Sequence, residues 1–112
     1  MKKALLITAL VISGCSSMSD MRNSPPASSF TSSKDAKSVS ECILFGWQEK
    51  SSRYGDVFIQ PNKNGYTVYS PSNIEIADVL NVSGETKVEY RHQGGVFSYR
   101  IDDRVNKIKS CI

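Results

Sequence analysis

The chain has 112 residues, of which 39% are hydrophobic and 22% are charged, and its formal net charge is +3. This length corresponds to one small domain. Lys2 and Lys3 supply two of the three excess positive charges, and without residues 1–14 the formal charge is +1. No basic patch is evident, so composition gives no case for nucleic-acid binding.

The first residues have the organisation of an export signal. Met1-Lys2-Lys3 precedes an uncharged apolar run over residues 4–12, and small residues follow. A basic start, a short apolar stretch and small residues make up a secretory signal peptide. The run is about half as long as a membrane-spanning helix requires. A buried N-terminal helix is the alternative, but the serine-rich segment that follows would give it nothing to pack on.

The signal ends with Ile12-Ser13-Gly14-Cys15, which resembles the lipobox of bacterial lipoproteins. The resemblance covers about the first 16 residues and implies that signal peptidase II recognises Ile12, Ser13 and Gly14 and cuts before Cys15. It further implies a diacylglyceryl group on the Cys15 sulfur and an acyl chain on its amino group. Apart from this covalent lipid we expect no cofactor. Three chains anchor stably where one anchors marginally. The residue after the cysteine is Ser16, which resembles the pattern of lipoproteins that are sorted to the outer membrane. We therefore expect an anchor in the outer membrane, rather than in the inner membrane, with the domain facing the periplasm.

Residues 15–33 follow the signal as a serine-rich segment. Eight of the 18 residues from 16 to 33 are serine, and Pro25 and Pro26 are adjacent. Such a composition buries too little apolar surface to offset the entropy of ordering. We therefore predict a flexible tether of about 20–25 Å, with an irregular ordered arm as the alternative. The folded domain is then expected over residues 34–112.

An amphipathic helix is predicted over residues 34–50. Ala36, Val39, Ile43 and Trp47 recur at three- and four-residue spacing and give one apolar face. Ser32 or Ser33 is expected to cap its start. We expect Trp47 to be a core residue and Cys42 to point inward from the same face.

Cys42 and Cys111 are the two cysteines of the predicted domain. In an oxidising compartment an even pair indicates a disulfide. The bond would close almost the whole domain and contribute about 4 kcal/mol. A metal or redox pair is the alternative, but there is no Cys-x-x-Cys spacing and His92 is the single histidine.

After Gly55 the hydrophobic period changes to two, which predicts strands. Two strands, over residues 56–60 and 66–70, flank a loop rich in turn formers. A third covers residues 73–82, with a bulge or break expected near Asp78 because the alternation slips there. Ser83-Gly84 is then expected to turn the chain.

A hairpin around Gly94-Gly95 is predicted for residues 87–101. Its register places Val88 opposite Ile101, Tyr90 opposite Tyr99 and His92 opposite Phe97 on one face, and Glu89 opposite Arg100 on the other. Residues 104–112 form either a last strand or a short helical turn. The whole pattern predicts an α+β domain in which one N-terminal helix packs on a four- to five-stranded antiparallel sheet. The Cys42–Cys111 bond ties that helix to the C-terminus.

No catalytic or metal-binding set of residues is evident in the sequence. His92 has no second acid–base group beside it, and Asp102 and Asp103 would point to opposite faces of a strand. No serine lies in a nucleophile elbow. The domain also contains five tyrosines, at positions 54, 66, 69, 90 and 99. Some of them, with Tyr66, Tyr69, Tyr90 and Tyr99 as the candidates, could form a partner surface, or they could pack on the sheet with their hydroxyls at the rim.

We therefore expect a lipid-anchored envelope lipoprotein that is a non-enzymatic binding or accessory module with an envelope protein partner. An inhibitor or immunity lipoprotein acting on a lytic or incoming enzyme is the alternative. Lysozyme-inhibiting lipoproteins are of similar size, but Ser83-Gly84 is not followed by the loop tyrosine of that family, so its inhibitory residues are not assigned. An enzyme is the third and weakest option.

Overall fold

The computed structural model describes residues 17–112. Its sheet has five antiparallel strands in the order β1-β5-β4-β3-β2. The strands are β1 (Ser28–Ser32), β2 (Phe58–Asn62), β3 (Gly65–Tyr69), β4 (Glu75–Val82) and β5 (Glu85–His92). The helices are α1 (Met18–Arg22), α2 (Ala36–Gln48), α3 (Ser51–Tyr54) and α4 (Ser98–Cys111). The α+β class and the antiparallel sheet are confirmed, but these residues form four helices rather than one.

Helix α2 is the helix that the apolar spacing predicts. Its N-cap is Asp35, rather than Ser32 or Ser33, and the Asp35 carboxylate accepts a hydrogen bond from the Ser38 backbone N–H at 3.0 Å. A side chain that satisfies such an unpaired N–H favours the start of a helix. The inward face of α2 is buried, including Trp47 at 1% exposure, which confirms the predicted role of Trp47 in the core.

The hydrophobic core lies between the sheet and the pair α2 and α4. Val68, Val79 and Val88 from three adjacent strands meet Ile108 of α4, and all four are fully buried. Burial of each such side chain contributes about 1.5–3 kcal/mol. The Trp47 indole N–H also donates to the Arg104 carbonyl at 3.2 Å, which joins the two helices inside the core.

The predicted hairpin over residues 87–101 is wrong. Strand β5 ends at His92 and residues 98–111 are the helix α4. Because β5 pairs with β4 on one side and with β1 on the other, both of its hydrogen-bonding edges are occupied. Val88 lies between Val79 and Phe30 in this sheet, so Ile101 cannot pair with it from a third strand.

Residues 98–111 instead bury a helical stripe. Ile101, Val105 and Ile108 follow one another at four- and three-residue spacing and pack on the core. This spacing puts the three side chains on one side of a helix. The chain end is therefore a helix rather than a last strand.

Strand β4 runs without a break, so the bulge predicted near Asp78 is wrong. It pairs along its whole length with β5, and residues 76–80, which include Asp78, pair with β3. Ala77 and Val79 face the core, so Asp78 points to the opposite face of the sheet, where it binds Arg22. The turn after β4 is confirmed, with positive φ angles at Ser83 (53°) and Gly84 (86°), as a type I′ hairpin requires.

The flexible tether predicted for residues 15–33 is wrong where the structure describes it, from residue 17 onward. β1 pairs with β5 over its five residues, and α1 lies on the sheet face opposite α2 and α4. The Arg22 guanidinium donates to both carboxylate oxygens of Asp78, at 2.8 and 2.7 Å. The ordered domain therefore includes residues that composition alone assigns to the tether, and it extends well before residue 34.

The Cys42–Cys111 disulfide is present and ties α2 to the last residue of α4 across 69 positions of sequence. The two Cα atoms are 5.7 Å apart, within the usual range for such a bond. Cys42 itself is exposed whereas Cys111 is buried. The expectation that Cys42 points inward is therefore wrong, although the predicted pairing is confirmed.

Candidate functional site: an aromatic–arginine surface

Three aromatic rings gather where α3 meets the start of α4. Tyr54 is the last residue of α3, Phe97 immediately precedes α4, and Tyr99 lies in the first turn of α4. Gly55 follows Tyr54 with a φ of 89°, a conformation that favours glycine and ends the short helix. Two helix termini therefore present these rings at one place.

The three rings form a continuous stack that solvent reaches. The Phe97 and Tyr99 centroids are 5.4 Å apart with planes at 9°, and those of Tyr99 and Tyr54 are 6.4 Å apart at 28°. Phe97 is 67% exposed and Tyr99 is 48% exposed. Aromatic pairs of this kind contribute about 0.5–1.5 kcal/mol beyond their burial. The rings thus hold one another in place without being part of the core.

Two arginines lie over the rings. The Arg53 guanidinium is 4.8 Å from the Tyr99 centroid and 5.4 Å from that of Tyr54. The Arg100 guanidinium is 4.9 Å from the Tyr54 centroid. Such cation–π contacts contribute about 0.5–1 kcal/mol each at exposed sites. We call Arg53, Tyr54, Phe97, Tyr99 and Arg100 the aromatic–arginine surface.

A hydrogen bond from Tyr54 to Asp103 fixes the innermost ring. Asp103 follows Tyr99 by four residues, so both side chains lie on the same side of α4. Burial and the bond to Asp103 raise the pKa of Tyr54, and the same bond holds the pKa of Asp103 below its usual range. At neutral pH the hydroxyl is therefore a donor and the carboxylate an acceptor, an arrangement that positions the ring.

A buried charge cluster lies beneath this surface. Arg100 donates to both oxygens of the fully buried Glu75, at 2.8 and 2.6 Å, and Arg104 donates to Glu75 at 3.4 Å. Arg104 is 1% exposed and also donates to the Trp47 carbonyl at 3.1 Å. Burial raises the pKa of Glu75, but hydrogen bonds from Arg100 and Ser70 and the charge of Arg104 outweigh it and hold that pKa below 4.5. The cluster holds Arg100 in place from below.

A shallow cleft adjoins the exposed end of the ring stack. It has a volume of about 280 Å³ and lies between the end of β5 and the start of α4, lined by Ile74, residues 93–96, Phe97 and Arg100. The cleft gives the flat aromatic–arginine surface a concave neighbour into which a side chain of another molecule could fit.

The four predicted surface tyrosines do not form one surface. Tyr90 is fully buried, edge-on to Trp47 at 6.1 Å. Tyr66 is half-buried against the core, and Tyr69, on the alternate side of its strand, lies against Phe58. Tyr66, Tyr69 and Tyr90 therefore pack on the sheet, which is the alternative given in the sequence analysis. Tyr99 lies on α4 rather than on the predicted strand and belongs to the aromatic–arginine surface.

Arg53, Phe97 and Arg100 are members of the surface that no sequence pattern assigned to it. A signal for the helical placement was present, because Ile101, Val105 and Ile108 have helical spacing. No local signal indicates that α3 packs beside α4, since that contact is tertiary.

The remaining predicted residues are dispersed or lie elsewhere. His92 is half-buried at the end of β5, and its ring Nδ1 is 2.8 Å from the Gln93 carbonyl oxygen. Asp102 is exposed on α4 rather than at the end of a hairpin strand. Residues 12–15, with the proposed cleavage motif and Cys15, lie outside the described residues.

Within residues 17–112 no group of three or more His, Cys, Asp or Glu side chains could hold a metal ion. None of the helices in this range is both long enough and apolar enough to cross a membrane. No protein-family model, curated protein or solved structure matches the chain. Function is therefore inferred from the motif at the N-terminus and the geometry of the domain.

Proposed function

We propose that the protein is a lipid-anchored lipoprotein of the cell envelope whose domain is a non-enzymatic module that binds a macromolecular partner. The anchor rests on Ile12-Ser13-Gly14-Cys15 behind a short basic and apolar leader. Ser16 favours the outer membrane, with the domain in the periplasm. The covalent lipid on Cys15 attaches the module to its membrane.

The observation that carries the binding role is the exposed ring stack with two arginines over it. Tyrosine and arginine are enriched among the few residues that supply most of the free energy of binding at protein interfaces. The stack is held by Asp103 and the buried Glu75 cluster, so little side-chain entropy is lost when a partner binds. The cleft beside Phe97 supplies a concave site next to these anchors.

The charged groups at this surface suit recognition better than catalysis. Arg100 is engaged by Glu75, and Asp103 accepts a hydrogen bond from Tyr54. The pKa of Tyr54 is raised and that of Asp103 is lowered, which moves both away from the neutral range where a general acid or base works best.

Site-specific crosslinking in cells tests the proposal. A photoreactive benzoyl-phenylalanine replaces Phe97 in the full-length protein. Matched controls carry it at Phe45 or Val82, which are 61% and 47% exposed but lie outside the surface. We expect one discrete crosslinked protein from position 97 that is absent from the two control positions.

A second set of variants separates binding from mere proximity. In the position-97 background, Arg53→Ala should abolish the crosslink, because loss of an interface anchor typically weakens binding by 2 kcal/mol or more, roughly 30-fold. Lys34→Ala, an exposed cation outside the surface, should leave it unchanged, as should His92→Ala. Equal capture from all three crosslinker positions, or capture that survives Arg53→Ala, would contradict the proposal.

A further inference from the structure

Very little chain separates the proposed anchor residue from the folded domain. Ser17 caps α1 by accepting a hydrogen bond from the Asp20 backbone N–H at 3.0 Å, and Cys15 precedes it by two residues. A fully extended chain spans at most about 3.3–3.6 Å per residue. If Cys15 is acylated as proposed above, the Cα of the lipidated residue is within about 7 Å of the Ser17 Cα, at the start of α1.

Helix α1 is fixed to one face of the sheet. Besides its two bonds to Asp78, Arg22 donates to the Thr67 hydroxyl at 3.0 Å, and Met21 of the same helix is 7% exposed. At the start of α1, the Gln60 amide is 3.6 Å from the Met18 sulfur. We call this side of the sheet, with Gln60, Thr67, Asp78 and Lys87, the α1 face.

The aromatic–arginine surface lies on the other side. Arg100 and Tyr99 belong to α4, which packs with α2 against the opposite face of the sheet. A helix with its side chains is about 10–12 Å thick. Since the Cys15 Cα can lie at most about 7 Å from the Ser17 Cα, which is less than the thickness of the helix layer alone, we infer that the helices cannot rest on the bilayer while α1 stays on the sheet.

We propose that the α1 face of the domain lies directly against the lipid headgroups and that the aromatic–arginine surface points away from the membrane. The occupant of the α1 face is the bilayer surface to which Cys15 is anchored. A partner then reaches the ring stack from the periplasm without competing with lipid. The proposal rests on the lipidation of Cys15, and the experiment is designed to separate the two.

Photocrosslinking to lipid measures which face contacts the bilayer. The lipidated full-length protein is reconstituted in vesicles of phosphatidylethanolamine and phosphatidylglycerol. Benzoyl-phenylalanine is placed at Gln60 or Lys87 on the α1 face, and at Tyr99 or Lys109 on the helix side as matched controls. Mass spectrometry should detect lipid adducts at positions 60 and 87 and none above background at 99 and 109.

A lengthened anchor provides a variant that leaves the fold untouched. Ten Gly and Ser residues inserted after Ser16 leave the cleavage motif unchanged and lengthen the chain between the anchor and α1. The insertion should abolish the adduct at position 87 while the protein still floats with the vesicles. Arg22→Ala, which releases α1, should have the same effect, with unchanged Trp47 fluorescence showing that the domain is folded.

The outcomes distinguish the two proposals. If the protein floats with vesicles but the adducts appear equally at all four positions, only at position 60, or mainly at 99 and 109, the orientation is overturned and the lipoprotein assignment stands. If an adduct at 87 survives the Gly and Ser insertion, the short anchor does not set the orientation. If the wild-type protein does not float, both proposals fail.

Discussion

Glu75→Gln removes the one negative charge of the buried cluster that supports the aromatic–arginine surface. The side chain keeps its shape, but Arg100 and Arg104 lose their counter-charge. Arg104 is 1% exposed, and its hydrogen bonds go to Glu75 and the Trp47 carbonyl. The substitution therefore leaves an uncompensated buried guanidinium.

The size of the effect follows from that burial. Removing one partner of a buried ion pair typically destabilises a protein by about 3–5 kcal/mol, whereas an exposed pair contributes about 0–1 kcal/mol. Glu75 is fully buried and contacts two arginines, so we expect a loss of about 3–5 kcal/mol in the free energy of unfolding. For a domain of this size each kcal/mol corresponds to about 4–8 °C in Tm, so Tm should fall by at least about 12 °C.

Urea denaturation monitored by fluorescence measures this loss, because Trp47 is the single tryptophan and lies in the core beside Arg104. Glu85→Gln, at an exposed position at the start of β5, is the matched control and should stay within about 0.5 kcal/mol of wild type. A loss below about 1 kcal/mol for Glu75→Gln would refute the reasoning, since that is the range of an exposed ion pair.

The same cluster predicts a dependence on pH. The pKa of Glu75 in the folded protein lies below its ordinary value of 4.5. The stability that the carboxylate contributes is therefore fully present above pH 4.5 and is lost as the pH falls through the folded pKa. Wild type should lose more stability than Glu75→Gln between neutral pH and about pH 3. A constant difference between the two proteins over this range would contradict the assignment.

Three further predictions concern the fold. The double variant Cys42→Ala/Cys111→Ala, which lacks the disulfide, should lose about 4 kcal/mol in the free energy of unfolding. Two freely alkylated thiols in the native wild-type protein, detected by intact mass, would rule the bond out. Gly65→Ala brings its Cβ to 2.0 Å from a backbone carbonyl oxygen of β4 and should cost about 1–3 kcal/mol or more, whereas Gly94→Ala, with open space around its Cβ, should change the urea midpoint little. Tyr90→Phe removes a buried hydroxyl that has no hydrogen-bond partner among the described residues and should be neutral or stabilising; a loss above about 1 kcal/mol would indicate a partner for that hydroxyl.

The elements that sequence predicts correctly are those with a local signal. The apolar spacing of α2 and the turn at Ser83-Gly84 depend on residues that are neighbours in the chain. The Cys42–Cys111 pairing follows because the expected export leaves a single pair of cysteines in the domain.

The prediction of a hairpin at Gly94-Gly95 is wrong because the hydrophobic spacing after the glycines is ambiguous. Residues 97–101 alternate as a strand does, yet Ile101, Val105 and Ile108 also have helical spacing. The helix forms rather than the strand because β1 already pairs with the edge of β5 that a further strand would need. β1 reads SSFTS, with Phe30 as its single large apolar residue, so nothing local distinguishes it from a serine-rich tether.

The aromatic–arginine surface could not be predicted either, because it also depends on contacts between residues that are distant in sequence. Tyr99 was singled out, but its neighbours Tyr54 and Arg53 come from α3, far away in sequence. Their contact depends on how α3 and α4 pack, which no periodicity within either segment indicates.

Metabolic labelling with palmitate tests the central claim most directly. Wild type, Cys15→Ser and the matched control Cys42→Ala are expressed in the native envelope, and label is measured on the purified protein. We expect label on wild type and on Cys42→Ala, and none on Cys15→Ser, which should accumulate as uncut precursor or yield no lipidated product. Equal label on Cys15→Ser would contradict the lipoprotein assignment.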